Sequence, residues 1–294
     1  MSMENNLSQY FFSGIATGAI YALIALGFCI IENSMKIVNF AQGDFLTLGG
    51  MFMFTLLYAL SLPLIPAVLL AVAATALVGA AMERFSMRPA RSKDTVILVF
   101  ITIGASIFIR GAIKLLWGKS PKSLPYFSGD TPVDILGARI LPQSLWIVGI
   151  TLLVFLLLNY FYRHTRYGKA MRAVAYDRRA AALLGINVEK MVMLSFALAG
   201  AMGAIAGVLI IPITTMTFDM GVVLGLKGFA AAVLGGYGNV MGAVVGGLLL
   251  GVMESLGAGL ISSTFKDVIA FVILLLVLFA MPRGILGRGE GERV

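Results

Sequence analysis

Residues 10–31 read YFFSGIATGAIYALIALGFCII, a run of 22 residues without a single Asp, Glu, Lys or Arg. A helix needs about 20 mostly apolar residues to cross the hydrocarbon core of a bilayer. The residues before this run contain Glu4 but no Lys or Arg, so they lack the basic region that opens a cleaved signal peptide. We therefore expect this segment to remain in the protein as a membrane-spanning helix.

The composition of the whole chain leads to the same class of protein. The 294 residues are 60% hydrophobic and 12% charged, with a mean hydropathy of +0.97, whereas soluble domains carry about 25% charged residues. This excludes a soluble enzyme and a disordered chain. One Cys and one His exclude an internal disulfide and a multi-His metal site, so no cofactor or metal is expected. The net charge of +8 is typical of basic cytoplasmic loops and does not indicate a nucleic-acid partner.

Nine segments are apolar enough to be candidate membrane helices. They are 10–31, 38–60, 64–82, 96–117, 144–162, 191–213, 221–236, 240–260 and 267–281. The segments 38–60 and 221–236 contain charge or many glycines, which is typical of broken or re-entrant helices. Two interrupted elements, one in each half, are what an inverted-repeat transporter would show. The predicted fold is therefore all-α, a single polytopic domain over residues 1–294 with about eight or nine transmembrane or re-entrant helices.

The distribution of basic residues predicts the orientation. Seven Lys and Arg lie in 163–190, whereas 118–143 contains three together with four prolines. Because cytoplasmic loops are enriched in Lys and Arg, we expect 163–190 and the C-terminus to be cytoplasmic. The N-terminus and the loop 118–143 are then expected outside the cell.

The loop 163–190 has a pattern of helix-capping residues. Asp177 can cap a short helix that begins at Arg178, and Gly185 can supply the left-handed residue that ends it. The residues alone leave two interpretations open. The loop either presents a short helix to a partner protein, or lies as an amphipathic segment on anionic lipid.

Asn39, Gln42 and Asp44 place three polar side chains at the start of a membrane segment. A carboxylate at mid-membrane costs roughly 2.5–3.5 kcal/mol on insertion scales, so Asp44 needs an explanation. One interpretation is a half-helix that lines a translocation path. The other is an interfacial turn in which Asp44 lies in water or caps the helix.

Three further basic residues fall within predicted spans. Lys227 needs a cavity or a carboxylate, and Asp219 and Glu254 are the candidate partners; we expect a structural pairing and no contact with substrate. Arg110 and Lys114 are one helical turn apart, and we expect them to extend outward to the interface.

Four runs of sequence carry a resemblance to a known family. They are GKAMRAVAYD at 168–177 with AALLGI at 181–186, VNFAQGDFLTLG at 38–49, KGFAAAVLGGYGNVMGAVVGG at 227–247, and MPRGILG at 281–287. Together they resemble branched-chain amino-acid ABC transporter permeases, and the compact length is similar to the H-type subunit of leucine/isoleucine/valine systems. The family often has His at the position of Gln42 and Glu at that of Asp44. These two differences put the exact substrate in question more than the family.

The resemblance implies a permease subunit, not an enzyme, that moves branched-chain amino acids inward across the bacterial inner membrane. The implied partners are a second, M-type permease subunit, two cytoplasmic ATPase subunits that hydrolyse ATP, and a periplasmic or lipid-anchored solute-binding protein. It also implies that the loop 163–190 docks onto the ATPase. The residues expected at that contact are Arg172, Asp177, Arg178, Ala181, Leu184, Gly185 and Ile186.

Three alternatives stay open beside this interpretation. A permease of the same family could carry urea, another amide or another small amino acid. An ion-coupled secondary transporter would not need a long basic docking loop. An intramembrane enzyme would need a nucleophile or metal constellation, for which one His and one Cys offer little.

Overall fold

The computed structural model of the chain describes residues 3–90, 94–135, 137–260, 262, 266–281 and 283–287. The elements, in chain order, are α1 (Met3–Met35), α2 (Gln42–Phe54), α3 (Leu64–Met82), α4 (Thr95–Trp117), β1 (Val133–Ile135), β2 (Ala138–Ile140), α5 (Pro142–His164), α6 (Arg166–Tyr176), α7 (Arg178–Leu183), α8 (Val188–Ile210), α9 (Met220–Gly235), α10 (Val240–Leu260) and α11 (Lys266–Ala280). Short π-helical segments, Thr55–Ala59 and Glu83–Met87, extend α2 and α3. The C-terminal residues 288–294, which are predicted to be cytoplasmic, lie outside the described residues.

The structure confirms the all-α polytopic membrane fold. Within the described residues, nine helices match the nine predicted apolar segments, and α6 and α7 fall in the loop 163–190. Six of them, α1, α3, α4, α5, α8 and α10, are long and apolar enough to cross a membrane. The two segments predicted to be broken are shorter: α2 has 13 residues and α9 has 16.

Helix α1 is the centre of the bundle. In its most apolar 18-residue window 89% of the residues are buried, against 17% in the corresponding window of α5. Helices α8, α9 and α10 pack around it. At the contact with α10, a Cβ atom added to Gly251 would overlap the backbone of Gly18. Small residues at such a position let two helix backbones approach closely, so the glycines of α1 and α10 build the core.

Helix α2 begins about half-way along its neighbours. The amide of Phe40 donates to Thr102 Oγ1 at 3.1 Å, and Thr102 is the eighth residue of α4. The side-chain Nε2 of Gln42 donates to the carbonyl of Ala199 at 2.9 Å, and Ala199 is the twelfth of the 23 residues in α8. The N-terminus of α2 is therefore set inside the bundle and not at its end.

Helices α2 and α9 cross each other at glycines. A Cβ atom on Gly43 would overlap the carbonyl of Gly221, and one on Gly221 would overlap the carbonyl of Gly43. The two Gly-interrupted elements thus meet directly. Their relation as halves of an inverted repeat stays a prediction.

The two ends of the bundle are marked by contacts between distant segments. At one end, the amide side chain of Gln9 bonds the backbone N–H and C=O of Arg139, both at 2.8 Å. The N-terminal end of α1 therefore lies beside the segment 118–143, which contains the small antiparallel hairpin β1–β2 that the sequence did not predict. At the other end, Arg88 reaches Glu189 at 3.2 Å, so the end of α3 lies beside the start of α8.

Candidate functional site

Helices α6 and α7 are both capped at their N-termini by side chains. Thr165 Oγ1 accepts from the amide of Gly168 at 3.0 Å. Asp177 Oδ1 accepts from the amides of Arg179 and Ala180 at 2.7 and 3.0 Å. These bonds stabilise the carboxylate, so the Ala180 and Arg179 amides hold the pKa of Asp177 below its usual value. The predicted cap of the short helix is present.

The C-terminus of α7 is closed by a Schellman motif. Gly185 has φ +80°, its amide donates to the carbonyl of Ala182 at 3.0 Å, and the amide of Ile186 donates to that of Ala181 at 3.0 Å. This is the pair of bonds that defines the motif, and it requires the left-handed residue predicted at Gly185. A six-residue helix would fray in isolation. Caps at both ends fix its backbone.

The loop presents an apolar surface of which the sequence predicted only Leu184. We define the α7 surface as Tyr176, Leu183 and Leu184, whose exposed fractions are 79%, 89% and 80%. Arg172, Asp177, Arg178 and Gly185 are exposed around it. Large exposed apolar side chains in a polar loop are typical of an interaction site.

Two of the predicted contact residues point elsewhere. Ala181 is only 2% exposed, because it packs against its own chain, and Ile186 is half-buried against the same core. They support α7 from beneath, so their side chains are not part of the exposed surface. Leu183 could have been predicted from its place beside Leu184. Two adjacent leucines at the end of a short capped helix in a polar loop have no hydrophobic core to pack against.

Asn39, Gln42 and Asp44 are all buried, with exposed fractions of 0%, 0% and 1%. The N-cap residue of α2 is Ala41, and no side chain caps the helix. Asp44 contacts Arg110, with 3.5 Å between Asp44 Oδ1 and Arg110 Nε. The interpretation that Asp44 lies in water or caps the helix is therefore wrong, because the segment starts inside the bundle.

Several polar atoms near the start of α2 have no hydrogen-bond partner among the described residues. They are Asn39 Nδ2, Gln42 Oε1 and Thr47 Oγ1, and Asp44 Oδ1 has only the ion-pair contact with Arg110. A buried polar group without a partner costs about 1–3 kcal/mol. Each such group in a native protein needs an explanation, such as an ordered water, an ion or a ligand that binds there. The cluster marks the start of α2 as a candidate functional site inside the membrane.

The prediction that Arg110 extends outward is wrong. Its side chain is 30% exposed and turns to Asp44 of α2, and its Nη2 reaches Ser106 Oγ at 3.3 Å. Lys114, one turn further along α4, lies over the ring of Phe218 at 5.5 Å. An arginine that finds a carboxylate within the bundle does not need to reach the interface.

Lys227 lies in a network of charges between α9, α10 and α11, in which Lys227 and Glu254 are buried and Asp267 and Lys266 are exposed. Its Nζ is 2.8 Å from Glu254 Oε1 and 2.5 Å from Asp267 Oδ1. Lys266 Nζ lies 3.3 Å from the same Glu254 oxygen, and the hydroxyl of Tyr21 donates to Glu254 at 3.0 Å. Of the two candidate partners named from the sequence, Glu254 is the one in contact. The two Lys and two carboxylates balance in charge.

Comparison with known proteins identifies the family. The family model described as "Branched-chain amino acid transport system / permease component" matches residues 10–278. The chain belongs to this permease family. The permease is 38% identical to the high-affinity branched-chain amino acid transport system permease protein LivH of Escherichia coli and of Salmonella typhimurium, over 97% of both chains. It is 36% identical to the corresponding protein BraD of Pseudomonas aeruginosa, with the same coverage.

More distant similarities also cover most of the permease. It is 28% identical to the ribose import permease protein RbsC of Escherichia coli, over 92% of this chain and 84% of the relative. A solved structure titled "PsaBC from Streptococcus pneumoniae in complex with Fab" aligns over 95% of this chain and 92% of that one, with 14% identity and a TM-score of 0.45. The identities near 38% confirm the predicted H-type permease of the ABC family, and the chain is a multi-pass membrane protein.

Proposed function

We propose that the chain is the membrane-spanning permease subunit of an ABC importer that moves leucine, isoleucine and valine into the cell. ATP hydrolysis takes place on two separate cytoplasmic ATPase subunits. A second, M-type permease subunit completes the membrane part, and a periplasmic or lipid-anchored solute-binding protein delivers the substrate. The complex lies in the bacterial inner membrane with the N-terminus of this chain outside and its C-terminus in the cytoplasm.

The similarity to branched-chain amino acid permeases over 97% of the chain supports the substrate, and the observation that carries the coupling to an ATPase is the α7 surface. Leu183 and Leu184 are exposed at the end of a helix that is capped at both ends, and Tyr176 is exposed at the end of α6 beside it. Burial of a Leu side chain in a partner contributes about 1.5–3 kcal/mol, so two leucines and a tyrosine provide a firm contact. Because the caps hold the helix rigid, a movement of the ATPase is transmitted to α6 and α8 and is not absorbed by the loop.

The proposed translocation path runs past the start of α2. Asn39, Gln42 and Asp44 supply its polar lining, and the unpartnered atoms of this cluster support that role because a passing substrate can offer them hydrogen bonds. Lys227 has a structural role: it holds α9 to α10 through Glu254 and does not contact substrate.

The proposed function is tested in cells that carry the complete importer genes with and without this chain. We expect uptake of radiolabelled leucine, isoleucine and valine to require the chain, and uptake of urea to be independent of it. Uptake of urea that requires the chain, with no effect on leucine, would assign the permease to the amide substrates instead.

The docking role of α7 has its own test with a matched control. Leu183→Asp combined with Leu184→Asp places charge on the α7 surface and is expected to abolish co-purification of the ATPase subunits. Tyr167→Asp changes a residue that is also exposed in the same loop but lies at the far end of α6, and it is expected to leave co-purification unchanged. If the ATPase subunits co-purify normally with both variants while the double Asp variant binds anionic vesicles less well, the loop is a lipid-binding segment.

A further inference from the structure

The ion pair between Asp44 and Arg110 is incomplete. Its 3.5 Å separation is longer than the 2.7–2.9 Å of a charge-assisted hydrogen bond. No hydrogen bond joins the two side chains among the described residues, so the pair is not the two-bond fork that Arg and a carboxylate can form. The other contacts of the guanidinium, to the carbonyl and hydroxyl of Ser106, are also long at 3.5 and 3.3 Å. Asp44 has a side-chain hydrogen bond with Ser106, but its Oδ1 accepts no hydrogen bond, so both charged groups keep some unused bonding capacity.

The two members of the pair differ in accessibility. Asp44 has a side chain that is 2% exposed, whereas Arg110 is 30% exposed on the edge of the buried face of α4. That face is formed by Leu98, Thr102, Ser106, Ile109 and Ile113. A ligand can thus reach Arg110 directly and lie with its opposite charge toward Asp44. Charged residues inside a membrane domain are costly and mark substrate or ion pathways.

The groups around Asp44 extend the site. Thr47 Oγ1 is buried without a hydrogen-bond partner among the described residues, and it lies three residues after Asp44, on a neighbouring part of the same helix. Thr47 also faces Gly221 of α9. The site is therefore bounded by α2, α4 and the N-terminal end of α9.

We propose that Asp44 and Arg110 bind the charged head group of a zwitterionic α-amino acid. The ligand's carboxylate binds the Arg110 guanidinium and its ammonium binds the Asp44 carboxylate. Each side chain thus exchanges its present partner for the opposite charge of the ligand. Total charge does not change in this exchange, and the site is not a deep trap that would prevent release. The inference rests on the proposed function, because it names the residues that receive the amino acid on its path.

The first test uses the complete importer in proteoliposomes with its binding protein. Arg110→Met and Asp44→Asn are each expected to reduce initial leucine uptake roughly tenfold or more, since a hydrogen bond to a charged group contributes about 1.5–3 kcal/mol. Subunit assembly is measured for each variant by co-purification. The decisive variant combines Asp44→Arg with Arg110→Asp, which restores an ion pair with reversed polarity. We expect it to assemble but to remain deficient in uptake, and wild-type uptake by this variant would overturn the proposal.

The second test leaves both charges in place and does not depend on the stability of charge variants. Ser106→Cys, in a Cys29→Ser background, puts a thiol beside Arg110 in the solubilised importer. Excess leucine is expected to slow its modification by a small methanethiosulfonate reagent, whereas leucinol, which lacks the carboxylate, does not. A Thr151→Cys variant on α5 is the control and is expected to show no protection. Equal rates with and without leucine at position 106 would overturn the proposal.

The outcomes separate this inference from the proposed function. If the wild-type importer moves no leucine, the proposed function is wrong. If it moves leucine but the reversed pair transports normally or position 106 is not protected, only the head-group site is wrong.

Discussion

Lys227 and Glu254 lie buried between α9 and α10, where neither charge is stable alone. Replacement of Lys227 by Met leaves Glu254 with the half-exposed Lys266 as its remaining cation. Breaking a buried pair costs about 3–5 kcal/mol, so we expect a lower yield of folded Lys227→Met protein. The ranking of leucine, isoleucine and valine in uptake is expected to stay the same. Fluorescence-detected gel filtration in detergent measures the yield.

A double variant is the control for this prediction. Lys227→Met with Glu254→Gln removes both buried charges, and replacement of both partners is often neutral, so we expect most of the yield to return. A Lys227→Met protein made at the wild-type level with a changed substrate ranking would show that Lys227 belongs to the substrate site.

The sequence predicts the contacts of some single residues but not of others. The cost of a buried charge predicts that Lys227 needs a carboxylate, but only the packing of α9 on α10 selects Glu254 over Asp219. Arg110 was predicted to extend outward because its partner, Asp44, lies 66 residues earlier in the chain. Its contact depends on where α2 begins, and no local pattern encodes that position.

Helix α7 depends on the glycine that follows its C-terminus. Gly185→Val puts a β-branched residue at φ +80°, where an L-residue costs roughly 1–2 kcal/mol, so the Schellman motif is expected to open. We expect the permease to insert normally while leucine uptake and ATPase co-purification fall together.

Gly185→Asn is the matched control for the loop, because Asn tolerates the left-handed conformation and is expected to keep both activities. Wild-type uptake and co-purification by Gly185→Val would rule out a role of the α7 cap in coupling.

The close crossing of α2 and α9 requires glycine at position 43. Gly43→Val would place side-chain atoms into the carbonyl of Gly221, and backbone cannot move aside as a side chain can. We expect little folded protein from this variant, measured by gel filtration. Gly111→Val on α4, where an added Cβ meets nothing within 4 Å, is expected to fold as the wild type does. Equal yields of the two variants would contradict the close crossing.

The elements also differ in how well the sequence predicts them. The caps of α7 depend on residues two to five positions apart, so Asp177 and Gly185 identify them without tertiary information. The depth of α2 in the bundle cannot be predicted in this way, because it depends on tertiary contacts such as the hydrogen bond from Gln42 to Ala199 of α8. The α7 surface was missed in part for the same reason: only packing shows that Ala181 is buried and Leu183 is not.

For the whole molecule, the proposed orientation predicts which loops an impermeant reagent can reach. In a Cys29→Ser background, a thiol reagent added to intact cells is expected to label Ser128→Cys but not Arg178→Cys. Both native residues are exposed on the chain, so in cells that lack the ATPase subunits only the membrane separates them from the reagent. The same cells after permeabilisation, in which both positions should react, are the control. Labelling of position 178 and not 128 in intact cells would reverse the topology.

In the proposed importer, ATP hydrolysis on the side of α7 drives inward movement of a branched-chain amino acid. This is tested by uptake of radiolabelled leucine into proteoliposomes that contain the complete importer. With binding protein outside and ATP inside, where α7 is exposed, we expect leucine to accumulate above its external concentration, and a non-hydrolysable ATP analogue to abolish the accumulation. Accumulation driven by an ion gradient without ATP, or no leucine uptake with ATP and every partner present, would show that the chain is not part of an ATP-driven leucine importer.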